Sequence, residues 1–226
     1  MITPAKLFGL EQSHLLSTKD GHLLLEQTLI DFELLHQQGK AYGLDITIAS
    51  SFRSFERQLT IWNNKFHGQR PTFDKSGQQL DMSKLNDWQK VQAILQYSAM
   101  PGTSRHHWGT DLDVYDRAAI SKDYKLQLEP HEYEKEGPFS AMTSWLSANM
   151  KAFNFYRPYV QDLGGVAPEL WHLSHRPEAL AYSNLFAANA PSLLTILEQH
   201  EIAGFKTISQ NLDYILNNYV YSVPDK

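Results

Sequence analysis

The 226-residue sequence predicts an α+β fold, in which a small antiparallel sheet is flanked by helices and followed by a helical C-terminal extension. Apolar residues recur at helical spacing in about five segments, and two to four short β-branched or aromatic segments lie between them. Strands and helices do not alternate regularly, which is typical of the α+β class. A chain of this length can bury the core of one domain, so we expect a single domain over residues 1–226.

The first predicted elements lead to a polar strand end. Helical spacing of apolar residues predicts a first helix over residues 22–40, with Gly39 and Gly43 where it could stop. A short β-branched strand is predicted at residues 45–49. It leads through Ser-Ser-Phe-Arg-Ser into a second helix that contains Trp62. We expect the functional residues to begin where this strand ends.

The middle of the chain is predicted to hold a long loop, a helix and a strand. Residues 67–83 are polar and contain Gly and Pro, and loops of this length tend to be functional or mobile. Residues 88–95 show helical spacing. Residues 109–115 alternate apolar and acidic side chains, which predicts a strand with Asp111 and Asp113 on the same side.

The second half is predicted to add two strands and three helices. Residues 138–152 suit a helix, residues 153–159 an aromatic strand and residues 170–174 a short strand. Pro177 and Pro191 suit the first turns of two further helices. Apolar spacing after the second proline continues toward the end of the chain, which predicts the helical extension.

The composition excludes several classes of function. The chain has no cysteine, so disulfides, thiolate zinc sites and a cysteine nucleophile are excluded. A formal net charge of -5 provides no basic field for nucleic acid or an anionic membrane. The first residues lack the pattern of a secretory signal, and no apolar run reaches about 18 residues. We therefore expect a cytoplasmic protein without an integral membrane segment, or a periplasmic one if a leader has been removed.

Residues 101–116 contain the most informative motif, Pro-Gly-Thr-Ser-Arg-His-His-Trp-Gly-Thr-Asp-Leu-Asp-Val-Tyr-Asp. Six residues separate His106 from Asp113, and Gly109 between them allows a bend that could bring an imidazole and a carboxylate onto one ion. The pair alone is weak evidence, because most isolated pairs of this kind are a loop histidine and an unrelated strand carboxylate.

Two other segments carry side chains suited to hydrolysis. Glu169 precedes His172 by three residues. A zinc hydrolase needs a group that binds metal beside one that takes a proton from water. An arginine at a strand end, as predicted for Arg53, can stabilise the oxyanion that forms when a peptide carbonyl is attacked. Each pattern is common by itself, the alternatives being a surface acid beside a core histidine and an exposed ion pair.

Together the three segments resemble the VanY-type D-alanyl-D-alanine carboxypeptidases, within the lysostaphin, D-Ala-D-Ala metallopeptidase and hedgehog-like fold group. Ser-Arg-His-His-Trp-Gly-Thr-Asp-Leu-Asp is similar to the family's S-x-H-x-x-G-x-x-x-D motif and Glu-Leu-Trp-His to its E-x-W-H motif. Ser-Phe-Arg-Ser followed by Gln58 is similar to its strand-end arginine motif. The order of the motifs agrees as well. The likeness covers about residues 40–180, and residues 184–226 form the extension outside it.

The resemblance implies one zinc ion per chain, held on the sheet by His106, Asp113 and His172 with a fourth position open to water. It implies that Glu169 is the general base and then the general acid toward the leaving amine. Arg53 is implied to polarise the scissile carbonyl and to hold the oxyanion.

Three further residues receive supporting roles. Ser104 and Gln58 are implied to bind substrate or to support the site. Asp111 stands where family members commonly carry a small residue. We interpret it as a hydrogen-bond acceptor for a ligand histidine, the alternative being a spare charge that perturbs the site.

The implied reaction is hydrolysis of a peptide bond in peptidoglycan stem peptides or D-Ala-D-Ala-containing precursors. The motifs leave open a carboxypeptidase, a D-Ala-D-Ala dipeptidase and a stem-peptide endopeptidase, and we expect the loop at 67–83 to decide by capping one end of the cleft. A non-catalytic zinc-dependent binding module is the alternative from another class. Such a module would not require Glu169 and Arg53.

Overall fold

The computed structural model of the protein describes residues 1–75 and 77–223, and its strands form two antiparallel sheets. The strands are β1 (Leu16–Ser17), β2 (Leu23–Leu24), β3 (Ile46–Ser50), β4 (Asp111–Asp116), β5 (Phe155–Tyr156) and β6 (His172–His175). Strands β1 and β2 pair with each other, and the larger sheet has the order β3-β4-β6-β5. The predicted small antiparallel sheet is therefore confirmed.

Helices account for much of the remaining described chain. They are α1 (Pro4–Leu7), α2 (Glu26–Ala41), α3 (Phe55–Phe66), α4 (Asp87–Leu95), α5 (Pro130–Tyr133), α6 (Ser140–Asn149), α7 (Arg176–Asn189), α8 (Leu193–Gln199), α9 (Phe205–Gln210) and α10 (Leu212–Ile215). Short 3-10 turns include Met82–Lys84 and Arg105–Trp108, and a π-helical turn spans Leu216–Val220. The α+β class predicted from the sequence is confirmed. No helix among the described residues is long and apolar enough to span a membrane.

The first long helix differs from its prediction at both ends. It begins at Glu26 because Leu23–Leu24 pair with β1. Gly39 lies inside α2 rather than at its end. A β-carbon on Gly39 would come within 2.9 Å of the Ile46 Cδ1 atom, so this glycine allows close packing of α2 on β3. Gly43, with a φ of 81°, follows the helix end.

The predicted C-terminal helix is divided into several short helices. Gly204 has a φ of 79°, which the interior of an α-helix does not allow, and α9 starts directly after it. The preceding carbonyl, of Ala203, accepts a hydrogen bond of 3.0 Å from Trp62 Nε1 of α3. A contact distant in sequence therefore holds the chain where apolar spacing alone predicted a continuous helix. The aromatic strand predicted at 153–159 is likewise reduced to β5.

The buried apolar side chains form two clusters, and the site lies where the chain passes between them. One cluster packs α2 and α6 against the larger sheet. The other joins α1, α3, α4 and α7 to the C-terminal helices. Trp108 belongs to the second cluster and Leu112 to the first, so the segment between them connects both cores.

Residues 67–81 form the predicted loop, which contains an isolated bridge between Phe73 and Gln79; Ser76 lies outside the described residues.

Candidate metal and catalytic site

Three buried side chains converge at the junction of the two cores. Asp113 of β4 is the direct cross-strand partner of His172 in β6. His106 reaches them from the 3-10 turn before β4. Each of the three offers one ligand atom, and these atoms all lie within 4.8 Å of one another. Gly109 ends the 3-10 turn with a φ of 73°, and a β-carbon there would meet a Leu15 methyl carbon at 2.6 Å, so glycine is needed for this bend.

The imidazole of His106 is oriented by the backbone after β3. Its Nδ1 lies 2.9 Å from the Ser51 carbonyl oxygen, which can only accept a hydrogen bond. The proton therefore resides on Nδ1. Nε2 is left as an acceptor and lies 3.4 Å from Asp113 Oδ2. A bulge between Ile48 and Ser50 brings the backbone of β3 to this position.

His172 lies between three carboxylates. Its Nε2 is 2.8 Å from Asp111 Oδ1, and its Nδ1 is 3.1 Å from Glu169 Oε2 and 3.4 Å from Asp113 Oδ1. Burial by itself lowers the pKa of His172, but the hydrogen bonds with Asp111 and Glu169 outweigh it and raise the pKa to about 10. The three carboxylates around His172 therefore favour positive charge at this position.

Asp111 is balanced by an arginine that the sequence analysis did not single out. Arg105 Nε donates to Asp111 Oδ1 over 2.9 Å, and its Nη2 donates to Tyr156 and Ser174 over 2.7 and 2.8 Å. Burial alone raises the pKa of Asp111, whereas Arg105 and His172 lower it well below its usual range. A signal was present in the sequence: a buried acid requires a buried cation, and Arg105 precedes His106 in the motif.

The site passes a simple test for a divalent metal ion. Asp113 Oδ1 is buried and has no hydrogen-bond partner among the described residues. A buried acceptor without a hydrogen bond destabilises the folded state by about 1–3 kcal/mol, and a charged acceptor does so by more. A cation bound at this position would remove that destabilisation. Two imidazole nitrogens and one carboxylate oxygen are also a donor set of catalytic zinc.

Arg53 and Gln58 form one hydrogen-bonded unit beside these groups. Arg53 Nη1 donates to Gln58 Oε1 over 2.9 Å, and Gln58 Nε2 donates to the Ala99 carbonyl over 2.6 Å. Burial lowers the pKa of Arg53, while Asp113 and Glu169 act in the opposite direction. Gln58 therefore holds the guanidinium in a fixed orientation.

A cavity of about 660 Å³ opens over this arrangement. One part of its lining contains all of the predicted ligands and predicted catalytic residues, together with the buried Ser104. These are Arg53, Ser104, His106, Asp113, Glu169 and His172. Trp108, Tyr159 and Trp171 add aromatic walls. Arg70 and Phe73 of the loop after α3 also line the cavity, and we expected this loop to cap one end of the cleft.

Two neighbouring histidines make other contacts. His107 Nδ1 donates to the Arg53 carbonyl over 2.6 Å, and its Nε2 accepts from the Gly102 amide. Burial lowers the pKa of His107 to about 3, so it is neutral. His175 pairs with Asp31 at 2.8 Å. Neither joins the three converging side chains, because His175 lies at the other end of β6 and the ring of His107 in the 3-10 turn is turned to the Arg53 carbonyl.

Comparison with protein families gives a match over most of the chain. The family described as VanY, D-alanyl-D-alanine carboxypeptidase, matches residues 21–178. Two uncharacterised proteins of Haemophilus influenzae are similar in sequence. One is 43% identical over 103 residues, covering 44% of this chain and 70% of the relative. The other is 36% identical over 120 residues, covering 52% and 89%.

Solved structures share the fold at low sequence identity. A mutant of the vancomycin-resistance D,D-pentapeptidase VanY in complex with Zn(II) has a TM-score of 0.52 and 21% identity, covering 74% of this chain and 83% of that one. VanYB in complex with D-alanine-D-alanine has a TM-score of 0.53 and 20% identity over 77% and 83%. The LD-carboxypeptidase LdcB has a TM-score of 0.52 and 18% identity over 77% and 74%.

Proposed function

This chain belongs to the VanY family of D-alanyl-D-alanine carboxypeptidases, and we propose that it is a zinc peptidase acting on peptidoglycan stem peptides or their D-Ala-D-Ala-containing precursors. One observation carries the proposal. The ligand atoms of His106, Asp113 and His172 lie within 4.8 Å of one another, in a cavity that also contains Glu169 and Arg53. Metal ligands, a carboxylate and a guanidinium are the groups that hydrolysis of a peptide bond requires.

We assign zinc to the three converging side chains. Zinc, when bound, supplies a Lewis acid that makes water a better nucleophile and polarises a carbonyl. The donor set and the unpaired oxygen of Asp113 support this assignment, and the VanY neighbour was solved with Zn(II). His106 would ligate through Nε2 and His172 through Nδ1, because their other nitrogens are already engaged by Ser51 and Asp111.

Glu169 is assigned as the proton carrier. Its carboxylate contacts His172 Nδ1 at 3.1 Å and lines the cavity, so it lies beside the proposed ligands while one oxygen remains available to water. It would take a proton from the attacking water and deliver it to the leaving amine.

Arg53 is assigned to the oxyanion. Its guanidinium is held by Gln58 at 2.9 Å and Ser50 at 3.4 Å, so its orientation is established before substrate binds. Gln58 then acts as a positioning residue. Ser104, buried in the same part of the cavity lining, is assigned to contact the substrate.

Asp111 and Arg105 are assigned to hold His172. Asp111 accepts from His172 Nε2, which fixes the tautomer that exposes Nδ1, and Arg105 neutralises the buried carboxylate. This supports the interpretation of Asp111 as an acceptor for a ligand histidine.

We further propose that residues 1–226 form one domain. Leu193, Ile208 and Ile215 from the C-terminal extension share a buried cluster with Phe55 and Trp62 of α3. The extension would therefore be part of the core that supports the site.

The experiment that tests the function combines metal analysis with peptide cleavage. Purified protein is expected to bind one zinc per chain and to release products from a D-Ala-D-Ala-terminated stem peptide, detected by mass spectrometry. Glu169→Gln should retain zinc and lose a factor on the order of 10² to 10⁴ in rate, because it removes the base and keeps the volume. Glu178→Gln changes a half-buried glutamate outside the cavity; it is the matched control and should keep the rate.

Three results would change the proposal. Loss of zinc in Glu169→Gln would make Glu169 a ligand. An unchanged rate would mean that the base lies elsewhere. Zinc binding without cleavage of any stem peptide would favour a binding module.

A further inference from the structure

A second polar region of the cavity lies away from the proposed catalytic groups, along α3. Gln58, Ile61 and Lys65 follow one another at spacings of three and four residues, which places them on one side of the helix. Ile61 and Lys65 both line the cavity. Seven residues of α-helix span roughly 10 Å, so the backbone positions of Lys65 and Gln58 are about that far apart along α3. Arg70 reaches the same region from the loop.

Among the described residues, Lys65 and Arg70, like Arg53, have no acidic partner within ion-pair distance, whereas two other cations of the cavity do. Arg105 is paired with Asp111, and Lys75 with Asp162. Lys65 Nζ donates to Ser98 Oγ over 2.7 Å. Among residues 1–75 and 77–223, no carboxylate forms an ion pair with Lys65 or Arg70 within 4.0 Å.

The charge on Lys65 is correspondingly destabilised. Burial lowers the pKa of Lys65 most, and the positive charges of Arg70 and Arg53 add to this against the weaker opposing effect of Glu169, so that the pKa falls to about 8. Placing an anion beside Lys65 and Arg70 would relieve this repulsion, and a carboxylate also matches their hydrogen-bond donors.

We propose that Lys65 and Arg70 form a subsite that binds a carboxylate of the substrate two to three residues from the scissile bond. The distance follows from the roughly 10 Å along α3, since an extended peptide spans at most about 3.3–3.6 Å per residue. The inference rests on the proposed peptidase function and deepens it. The carboxylate is either the C-terminus of a leaving peptide longer than one residue or an acidic side chain in the stem.

Binding of uncleavable analogues tests the subsite without requiring turnover. The scissile amide is replaced by a methylene-amine, and dissociation constants for the zinc-loaded protein are measured by calorimetry. One pair of analogues carries three residues after this position and ends in a carboxylate or an amide. A second pair carries glutamate or glutamine three residues before it. A third carries a single D-alanine after it, as the acid or the amide.

The protein is expected to bind the carboxylate form of the first or the second pair about 10- to 100-fold more tightly, and the responding pair identifies the source. Lys65→Met and Arg70→Met should each reduce that ratio toward one. Lys40→Met is the matched control, because Lys40 is also a lysine in the last turn of a helix but lies outside the cavity, and it should keep the ratio. The ratio should also fall above about pH 8, where Lys65 loses its proton.

Equal binding of the acid and neutral forms in both longer pairs would overturn the proposal, as would a preference that survives both substitutions. Dependence on Lys65 for the single D-alanine pair alone would also overturn it, since the carboxylate would then lie beside the scissile bond. Arg70 is exposed, so Arg70→Met is expected to fold even if Lys65→Met does not. Cleavable peptides that stay intact while the analogues show the predicted ratios would refute the peptidase and not the subsite.

Discussion

The two ends of β6 carry the same pattern of residues in different surroundings. His172 begins the strand and contacts Glu169 three residues before it, while His175 ends the strand and faces Glu178 three residues after it. Each histidine also pairs at 2.8 Å with an aspartate from another element, Asp111 or Asp31. Both imidazoles are buried, and at both the acidic partners raise the pKa.

The two ends differ in whether the carboxylates already accept hydrogen bonds from neutral groups. At the His175 end, Glu178 accepts a 3.0 Å hydrogen bond from the Thr28 amide, and Asp31 accepts from Asn154 over 2.7 Å. At the other end, Asp113 Oδ1 forms no hydrogen bond with the described residues, although His172 Nδ1 lies 3.4 Å away, and Asp113 lines the cavity. Around His175, neutral groups donate hydrogen bonds to the neighbouring carboxylates, and the histidine has a structural role. Around His172, one carboxylate oxygen forms no hydrogen bond, and the same pattern of residues favours a metal ion.

Zinc content should show the largest difference between the two ends. His172→Gln should lose the bound zinc and with it all activity, because only two proposed ligands remain. His175→Gln should keep one zinc per chain and unfold at a lower temperature, since its acids lose a buried partner. Elemental analysis and thermal unfolding of both variants check this. Zinc lost from both would mean that the ends are not independent.

Turnover should distinguish the two arginines near these ends. Arg53→Ala should lower kcat by a factor on the order of 10² to 10³ and change KM less, because the guanidinium is assigned to the transition state. Arg176, whose guanidinium lies over the Tyr156 ring at 5.0 Å, provides the control, and Arg176→Ala should keep kcat. Steady-state kinetics on a stem peptide measure both. A normal kcat with raised KM in Arg53→Ala would make Arg53 a substrate anchor.

The two aspartates should differ in their effect on metal affinity. Asp111→Asn should weaken zinc binding about 10- to 100-fold, because His172 loses the acceptor that orients it. Asp31→Asn should leave zinc affinity unchanged. Competition with a chromophoric chelator gives both dissociation constants. Equal affinities in the parent and Asp111→Asn would support the alternative that Asp111 is a spare charge.

The smallest effect concerns the pH dependence of stability at the His175 end. Burial alone lowers the pKa of His175, but Glu178 and Asp31 raise it above the ordinary value of 6.5. Folding therefore favours the protonated form. The stabilisation of the folded state by protonated His175 is complete below pH 6.5 and is lost as the pH rises through the higher pKa of the folded state. Urea unfolding should show that the parent exceeds His175→Gln in stability by more at pH 6 than at pH 9, and a constant difference would contradict this.

Local patterns in the sequence were enough to predict the fold class and to suggest that His106 could approach Asp113, whereas His172 entered the predicted site through the family resemblance. Alternation along β4 put Asp111 and Asp113 on one side, and Gly109 indicated the bend that carries His106 to them. These features depend on residues a few positions apart, whose geometry is set by backbone sterics and strand periodicity. The three motifs and their order along the chain then indicated the family.

Contacts between distant residues decided the rest, because their energy depends on neighbours that no local pattern reveals. Pairing of β1 with β2 shortened the first helix, and the bond from Trp62 to Ala203 helped to divide the C-terminal one. The sequence alone determined a His-and-acid pattern around β6. Only the tertiary structure decided that the acids at one end accept hydrogen bonds from neutral donors, while at the other end one oxygen of Asp113 forms no hydrogen bond with the described residues. Because that oxygen is buried, its missing hydrogen bond destabilises the folded state, and a bound cation would offset this destabilisation.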